Sequence, residues 1–479
     1  MKFFNKKYIY PAVMASFLMV TGTACEDSLN INTDPNSFTD VPLRTILPAA
    51  QVNLAYALGG DASRYTGSIV QYYGGHRGQP LEYSQFTFNP STTDTFWDRM
   101  YTSVLTQMKA VMAKADENDD KIYTGIAQIT TAQTISILTD IFGDIPYSEA
   151  LLSTENITPS YDKQEAIYTA LIDLLNQGIA NVKSGQGTKP GTDDLVYGGD
   201  VAKWEKFANS LKLRLYNHLS KVQPNAAAEF LATNPALITA NADNAKVTFG
   251  ANASNANPIY QFDVLSGRKD MAVSSTIVNK LKALSDPRIP VYFHGIANGA
   301  NAGQYVGNGP GVNDDDSGET KFSRVGSFYA SSTSPVVFLS AAEVQFIIAE
   351  VQFRKGDQAA AATAYNAAVK NDFAALGLSA ASDAYLATTA VKYDNTLNRI
   401  LEQKWITMYQ APYEAWVDWR RTGFPQLAIP VTNFNGGVTP RRLPYPQLEL
   451  NLNRQSIEAG PGFLTSVEAM KSRVWWDKE

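Results

Sequence analysis

Cysteine and histidine are nearly missing from this sequence: one and three in 479 residues. A single cysteine excludes an internal disulfide and any multi-cysteine zinc site. His76, His218 and His294 fall in unrelated segments and leave little room for an imidazole metal site. Basic charge is also short. Lys and Arg total 40 against 46 Asp and Glu, for a net charge of −6. The electrostatic footprint of a nucleic-acid binder is therefore lacking, and no such partner is expected. Beyond one N-terminal stretch, no apolar run approaches the ~18 residues of a membrane-spanning helix. No G-x-S-x-G elbow, H-E-x-x-H helix, P-loop or dinucleotide fingerprint occurs. Paired carboxylates carry no glycosidase signal by themselves in so acidic a chain. No bound cofactor is expected.

What the sequence does contain is a folded composition, 44% hydrophobic and 18% charged. It is neither disordered nor collagen-like, and it is long enough for a sizeable core. The lone cysteine, Cys25, has a telling context. Lys2, Lys6 and Lys7 precede an apolar run over residues 8–20, and Thr21, Gly22, Thr23 and Ala24 lead into Cys25. A basic start, a short apolar run and small residues before a cut site make a secretory signal. The cysteine at the cut resembles a bacterial lipobox, in which the thiol is acylated, as with palmitate, and becomes the first mature residue. Acyl chains anchor a protein without a helix, at about 0.8 kcal/mol per buried methylene. Glu26 and Asp27 follow, as in the surface-export signal of Bacteroidota lipoproteins. Removal of residues 1–24 deletes three lysines and no acid, which takes the charge to −9. The expected division is a signal peptide over 1–24, a lipidated tether over 25–45 and a body over 46–479.

Helical periodicity recurs through the body, and strand-like alternation is scarce. The spacing predicts helices near 46–58, 94–115, 121–140, 162–182, 202–222, 225–238, 273–284, 341–355, 358–374 and 395–411. The clearest pair spans 340–374. Ser340 and Glu343 form an S-x-x-E capping box, Gly356 suits the C′ position and Asp357 caps the next helix. Ala349, Ala361, Tyr365 and Ala368 match the small and aromatic positions of a tetratricopeptide unit. The fold class is mainly all-α: a tetratricopeptide-like solenoid with a loop-rich second subdomain. Two stretches, 72–93 and 285–338, are read as loops, and loops of that length are commonly functional.

Those loops hold the candidate binding residues. "QYYGGHRGQPLEYSQF" offers Tyr72, Tyr73, His76, Arg77 and Tyr83 in a polar, glycine-rich setting. Flat rings with polar rims suit sugars and equally suit peptides. Gly74, Gly75 and Gly78 would permit close approach of a ligand. Phe328 and Tyr329 are a second aromatic group. Trp97 and Tyr101, four apart, read as a packed helix pair. Trp204, Trp416 and Trp419 read as core, and Arg214 lies off the apolar stripe, placed to bind a carbonyl or carboxylate. Asp314, Asp315 and Asp316 are weak calcium candidates. An EF-hand loop started at Asn313 would place Arg324 where a bidentate acid is required, so the run reads better as a solvated acidic loop.

Six segments in order resemble the SusD/RagB family: "TDIFGDIPYSEAL" (139–151), "KWEKFANSLKLRLYNHLS" (203–220), "SDPRIPVYF" (285–293), "LSAAEVQFIIAE" (339–350), "ILEQKWITMYQAPYEAWVDWRRTGFP" (400–425) and "PRRLPYPQLELNLN" (440–453). The resemblance implies a SusD-like, non-catalytic lipoprotein of the Bacteroidota outer membrane, facing the cell exterior. Such a protein binds an oligosaccharide or oligopeptide nutrient and delivers it to a SusC-like TonB-dependent transporter. Two other readings stay open on the residues alone: a surface glycan-degrading enzyme, and a helical-repeat scaffold that binds only protein.

Overall fold

The computed structural model describes residues 41–314 and 319–479. Cys25, the signal segment and most of the tether lie outside the described residues, as do Asp315 and Asp316. The first described helix, α1 (Leu43–Tyr56), begins inside the stretch read as tether. A wide π-helical turn, Ala57–Ala62, carries it into α2 (Ser63–Ile69). Then follow α3 (Gly78–Ser84), α4 (Thr106–Glu117), α5 (Lys121–Phe142), α6 (Gln164–Lys183), α7 (Val201–His218) and α8 (Ser275–Ala283). The C-terminal part holds α9 (Ala341–Arg354), α10 (Gln358–Ala375), α11 (Leu397–Thr407) and α12 (Pro412–Thr422). Four short strands, β1 (Ala245–Val247), β2 (Phe293–His294), β3 (Arg324–Val325) and β4 (Val336–Leu339), pair antiparallel as β1 with β4 and β2 with β3. The protein is thus mainly helical with a tetratricopeptide-like arrangement, and residues 43–479 form one unit.

Neighbouring helices close on small residues. Gly125 of α5 faces Gly178 of α6, and a Cβ on Gly125 would stand 2.8 Å from the Gly178 carbonyl oxygen. Only hydrogen side chains let the two backbones meet so closely. In the α9–α10 pair Ala349, Ala361, Tyr365 and Ala368 are all buried, and the Phe346 and Tyr365 rings meet edge-on at 6.1 Å. Gly356 adopts φ +81° after α9, and Asp357 accepts from the Ala360 amide at 3.0 Å. The Ser340 hydroxyl caps α9 by accepting from the Glu343 amide at 3.2 Å. The returning half of the box is replaced, because the Glu343 carboxylate is drawn to Arg214 instead.

Buried charges tie the repeats together. Arg214, 1% exposed, donates Nε to Glu343 at 2.6 Å and Nη2 to the Phe338 carbonyl at 2.8 Å. Beside it, His218 lies 3.0 Å from Glu414 and 3.3 Å from Asp140. Arg421 engages Glu350 and Asp418, and Arg420 lies over Trp416 at 3.9 Å and Trp476 at 4.7 Å. Trp476 in turn donates its indole N–H to Asp140 at 2.8 Å. A second centre surrounds Arg288, fully buried after α8. It donates to Asp286 and Asp372 at 2.7 Å and to Gln403 at 2.8 Å. All of these charged residues except Asp372 lie in the segments that carry the family resemblance.

Candidate functional site

The stretch 72–93 is not an open loop. It contains α3 and a turn over Pro90–Thr93 capped by Asn89. Tyr72 is fully buried, donates its hydroxyl to the Trp405 carbonyl and packs 5.2 Å from the Trp405 ring. His76 is fully buried too, with ring nitrogens 3.0 Å and 2.9 Å from the carbonyl oxygens of Asp314 and Lys269. Neither has a face to offer a ligand. Their rings fix the segment to the body. The glycines beside them admit the chain itself: a Cβ on Gly75 would stand 2.1 Å from the Pro80 backbone, and one on Gly74 2.7 Å from the Asn308 carbonyl oxygen. Arg77 donates to Asp270 and to the Arg268 carbonyl, both at 2.7 Å. Asp314 is paired with Lys321 at 2.9 Å, and among the described residues no cluster of three or more His, Cys, Asp or Glu is placed to hold a metal ion.

Two cavities flank the Ala57–Ala62 turn, with Gly59 in the wall of one and Gly60 in the wall of the other. The smaller, about 140 Å³, brings together Tyr73, Phe328 and Tyr329 of the sequence reading and adds Ser63, Asn244, Asn257 and Tyr409. Phe328 is 37% exposed, and the other three rings are buried or nearly so. Tyr409 stacks on Tyr292 at 4.8 Å, and its buried hydroxyl has no hydrogen-bond partner among the described residues. Burial pushes the Tyr73 hydroxyl up to about 12, so it remains a neutral donor.

The larger cleft, about 480 Å³, is lined by Tyr56, Asp61, Arg64, Tyr65, Gln79, Tyr83, Thr95, Arg99, Gln261, Phe262 and Arg268. Tyr83 is the one residue of the sequence reading in its wall. That ring is 2% exposed and stacks on Phe88 at 5.5 Å with a 4° interplanar angle. Several of the other lining residues are delivered by an unusual device. The three π-helical turns among the described residues are Ala57–Ala62, Arg99–Leu105 and Tyr260–Leu265. All three open on this cleft, giving Asp61, Arg99 and then Gln261 with Phe262. π-Helical turns leave backbone groups less well paired than an α-helix does, and they gather at functional sites. At six or seven residues each they are too short to impose a period of their own, so periodicity merges them with the flanking helices. The "LGGD" run at 58–61 is the one local hint.

The side chains are held by stacking and short polar links. Arg64 lies 3.9 Å over the Phe262 ring, Arg268 lies 4.6 Å over the same ring, and Arg99 lies 5.7 Å over Tyr56. Arg64 pairs with Asp61, and Tyr65 donates to the Thr92 carbonyl at 2.7 Å. Burial, with Asp61 adding to it, raises the Tyr65 hydroxyl well above its ordinary value. The cleft therefore presents neutral phenols, amides and guanidinium edges, a set that binds polar ligands by hydrogen bonds.

A helical-repeat body with an open cleft of rings and polar groups defines a class of protein. The family model described as "Starch-binding associating with outer membrane" matches residues 35–446. The chain belongs to this SusD-like family. A chitin-binding protein is 26% identical, with 91% of this chain and 100% of that one covered and a TM-score of 0.79. A SusD homologue from Bacteroides uniformis is 27% identical, with 91% and 99% covered and a TM-score of 0.78. A chitin-binding SusD homologue from Flavobacterium johnsoniae shares the fold at 24% identity and a TM-score of 0.79, with 91% and 98% covered. No curated protein matches the chain. Among the described residues no helix is long and apolar enough to cross a membrane.

Proposed function

We propose that this protein is a cell-surface lipoprotein that captures an oligosaccharide and passes it, unaltered, to a SusC-like TonB-dependent transporter in the outer membrane. The convergence of three π-helical turns on the larger cleft carries this reading. A volume of about 480 Å³ suits a few sugar rings, and the lining offers hydroxyl, amide and guanidinium partners for their hydroxyls. Membership of a family described as starch-binding, and the chitin-binding protein at 26% identity, support a glycan as the ligand. Glycosidic cleavage needs two carboxylates facing the bond. Of the residues lining the cleft Asp61 is the one acid, and Arg64 engages it. Retention at the membrane is assigned to acylation of Cys25.

A glycan array followed by calorimetric titration tests the binding. Tyr56→Ala, which removes a ring and a hydroxyl from the wall, is expected to weaken the best glycan about tenfold, or ~1.4 kcal/mol. A protein that retains no glycan on the array would sink the proposal, as would release of reducing sugar from a bound oligosaccharide. Tyr72→Ala is no substitute, since it cuts the core. For the anchor, Cys25→Ala is expected to move the protein from the membrane fraction to the soluble fraction, and unchanged membrane retention would refute it.

A further inference from the structure

We infer that the larger cleft selects an acidic oligosaccharide, one bearing carboxylate or sulfate groups, and that Arg99 is its principal anion contact. This rests on the cleft being the ligand site. The chain as a whole carries −6, yet the cleft wall holds three arginines, Arg64, Arg99 and Arg268, and one acid. Asp61 is taken by Arg64, while Asp270 is shared between Arg77 and Arg268 at 2.7 Å and 3.3 Å. Counted together, Arg64, Arg77, Arg99 and Arg268 exceed Asp61 and Asp270 by two positive charges. Arg99 holds one of them. Among the described residues its side chain makes no hydrogen bond or ion pair, and it lies over the Tyr56 ring.

The stacking decides what the cleft shows a ligand. Arg64 and Arg268 both lie over Phe262 and Arg99 lies over Tyr56. Arg64 spends Nε on the Gly60 carbonyl and Nη2 on Asp61, and Arg268 spends Nε on Asp270, so Arg99 is the guanidinium whose N–H groups are left to fork onto a carboxylate or sulfate. The rings therefore act as platforms for cations, and Phe262 is not a bare surface for a neutral sugar. An anion here also meets a partly enclosed site, where screening by salt is weaker than on an open surface.

The test is calorimetric titration of the full chain with four probes: tetragalacturonate, its fully methyl-esterified counterpart, a sulfated galactan tetrasaccharide and chitotetraose. The ester keeps the shape of the first and removes its charge. At least one acidic probe is expected to bind about tenfold or more tightly than the two neutral ones, and to weaken severalfold as NaCl rises from about 50 to about 500 mM. Arg99→Gln is expected to erase that preference with an unchanged melting temperature. Arg99→Lys, which keeps the charge without the fork, is expected to retain part of it. Equal or tighter binding of the neutral probes, or an acidic preference untouched in Arg99→Gln, overturns the inference and leaves glycan capture standing. Failure of all four probes, together with an empty glycan array, removes both.

Discussion

Replacement of Arg288 by leucine is expected to lower the unfolding free energy by about 3–5 kcal/mol, the cost of leaving buried acids without their partner. Arg288 is fully enclosed and serves Asp286, Asp372, Gln403, Tyr385 and Thr407 at 2.7–3.3 Å. Its guanidinium also faces the Phe373 ring at 5.2 Å. Those partners sit on α10, on α11 and around Tyr385, so one side chain joins the last helical repeat to the segment after α8. Leucine fills some of the space but neutralises nothing. The urea midpoint measures the loss, and a change below about 1 kcal/mol would contradict this account. Asp286→Asn with Asp372→Asn in the leucine background is expected to recover part of it, because the uncompensated charges are then gone.

A second large effect concerns His218. Burial by itself would lower its pKa, but the carboxylates of Glu414 and Asp140 outweigh that and lift it to about 9. Tyr168 touches the ring at 3.0 Å and donates to Asp140, while Arg214 stands 3.4 Å from Glu414. The folded value lies above the ordinary 6.5, so the folded state holds the proton more tightly. The stabilisation is complete below pH 6.5 and is lost as pH rises through about 9. Its size is of the order of 3 kcal/mol. Unfolding at intervals between these limits should show the wild-type chain losing stability that His218→Gln does not lose. Parallel curves for the two proteins would sink the assignment.

The scaffold was readable because its helices bury stripes of constant period. Trp204, Phe207, Leu211 and Leu215 recur along α7 and are all buried, and the Ser340 and Asp357 caps sit where their spacing put them. Arg214, off that stripe, did find a carboxylate and a carbonyl. The loops were read less well. Tyr72, His76 and Tyr83 stand among glycines and polar residues and look like surface, yet the glycines serve to let backbone in and the rings follow. α3 falls within the stretch read as a loop, 72–93, because Gly78 and Pro80 are poor helix formers, and burial of Leu81 and Tyr83 holds the helix. The larger cleft was the least legible part. Asp61, Arg99 and Phe262 come from three π-helical turns far apart in the chain, and no local spacing joins them. Phe328 and Tyr329, the aromatic pair of the second loop-rich stretch, lie with Tyr73 around the smaller cavity.

The indole of Trp476 closes the middle of the molecule although Asp140, its partner, lies 336 residues earlier in the chain. Arg420 sits against the same indole. A nascent chain that has built α5, α6 and α7 already meets Asp140 with Tyr168 and His218, yet still has an unfilled slot at their junction. Contacts of such long range form slowly and late. Until that tryptophan arrives, the early helices present apolar surface to whatever is near, and a chaperone has its longest opportunity to hold them. The protein is in this sense assembled around a late tryptophan, and Trp476→Ala should cost far more than one surface side chain would.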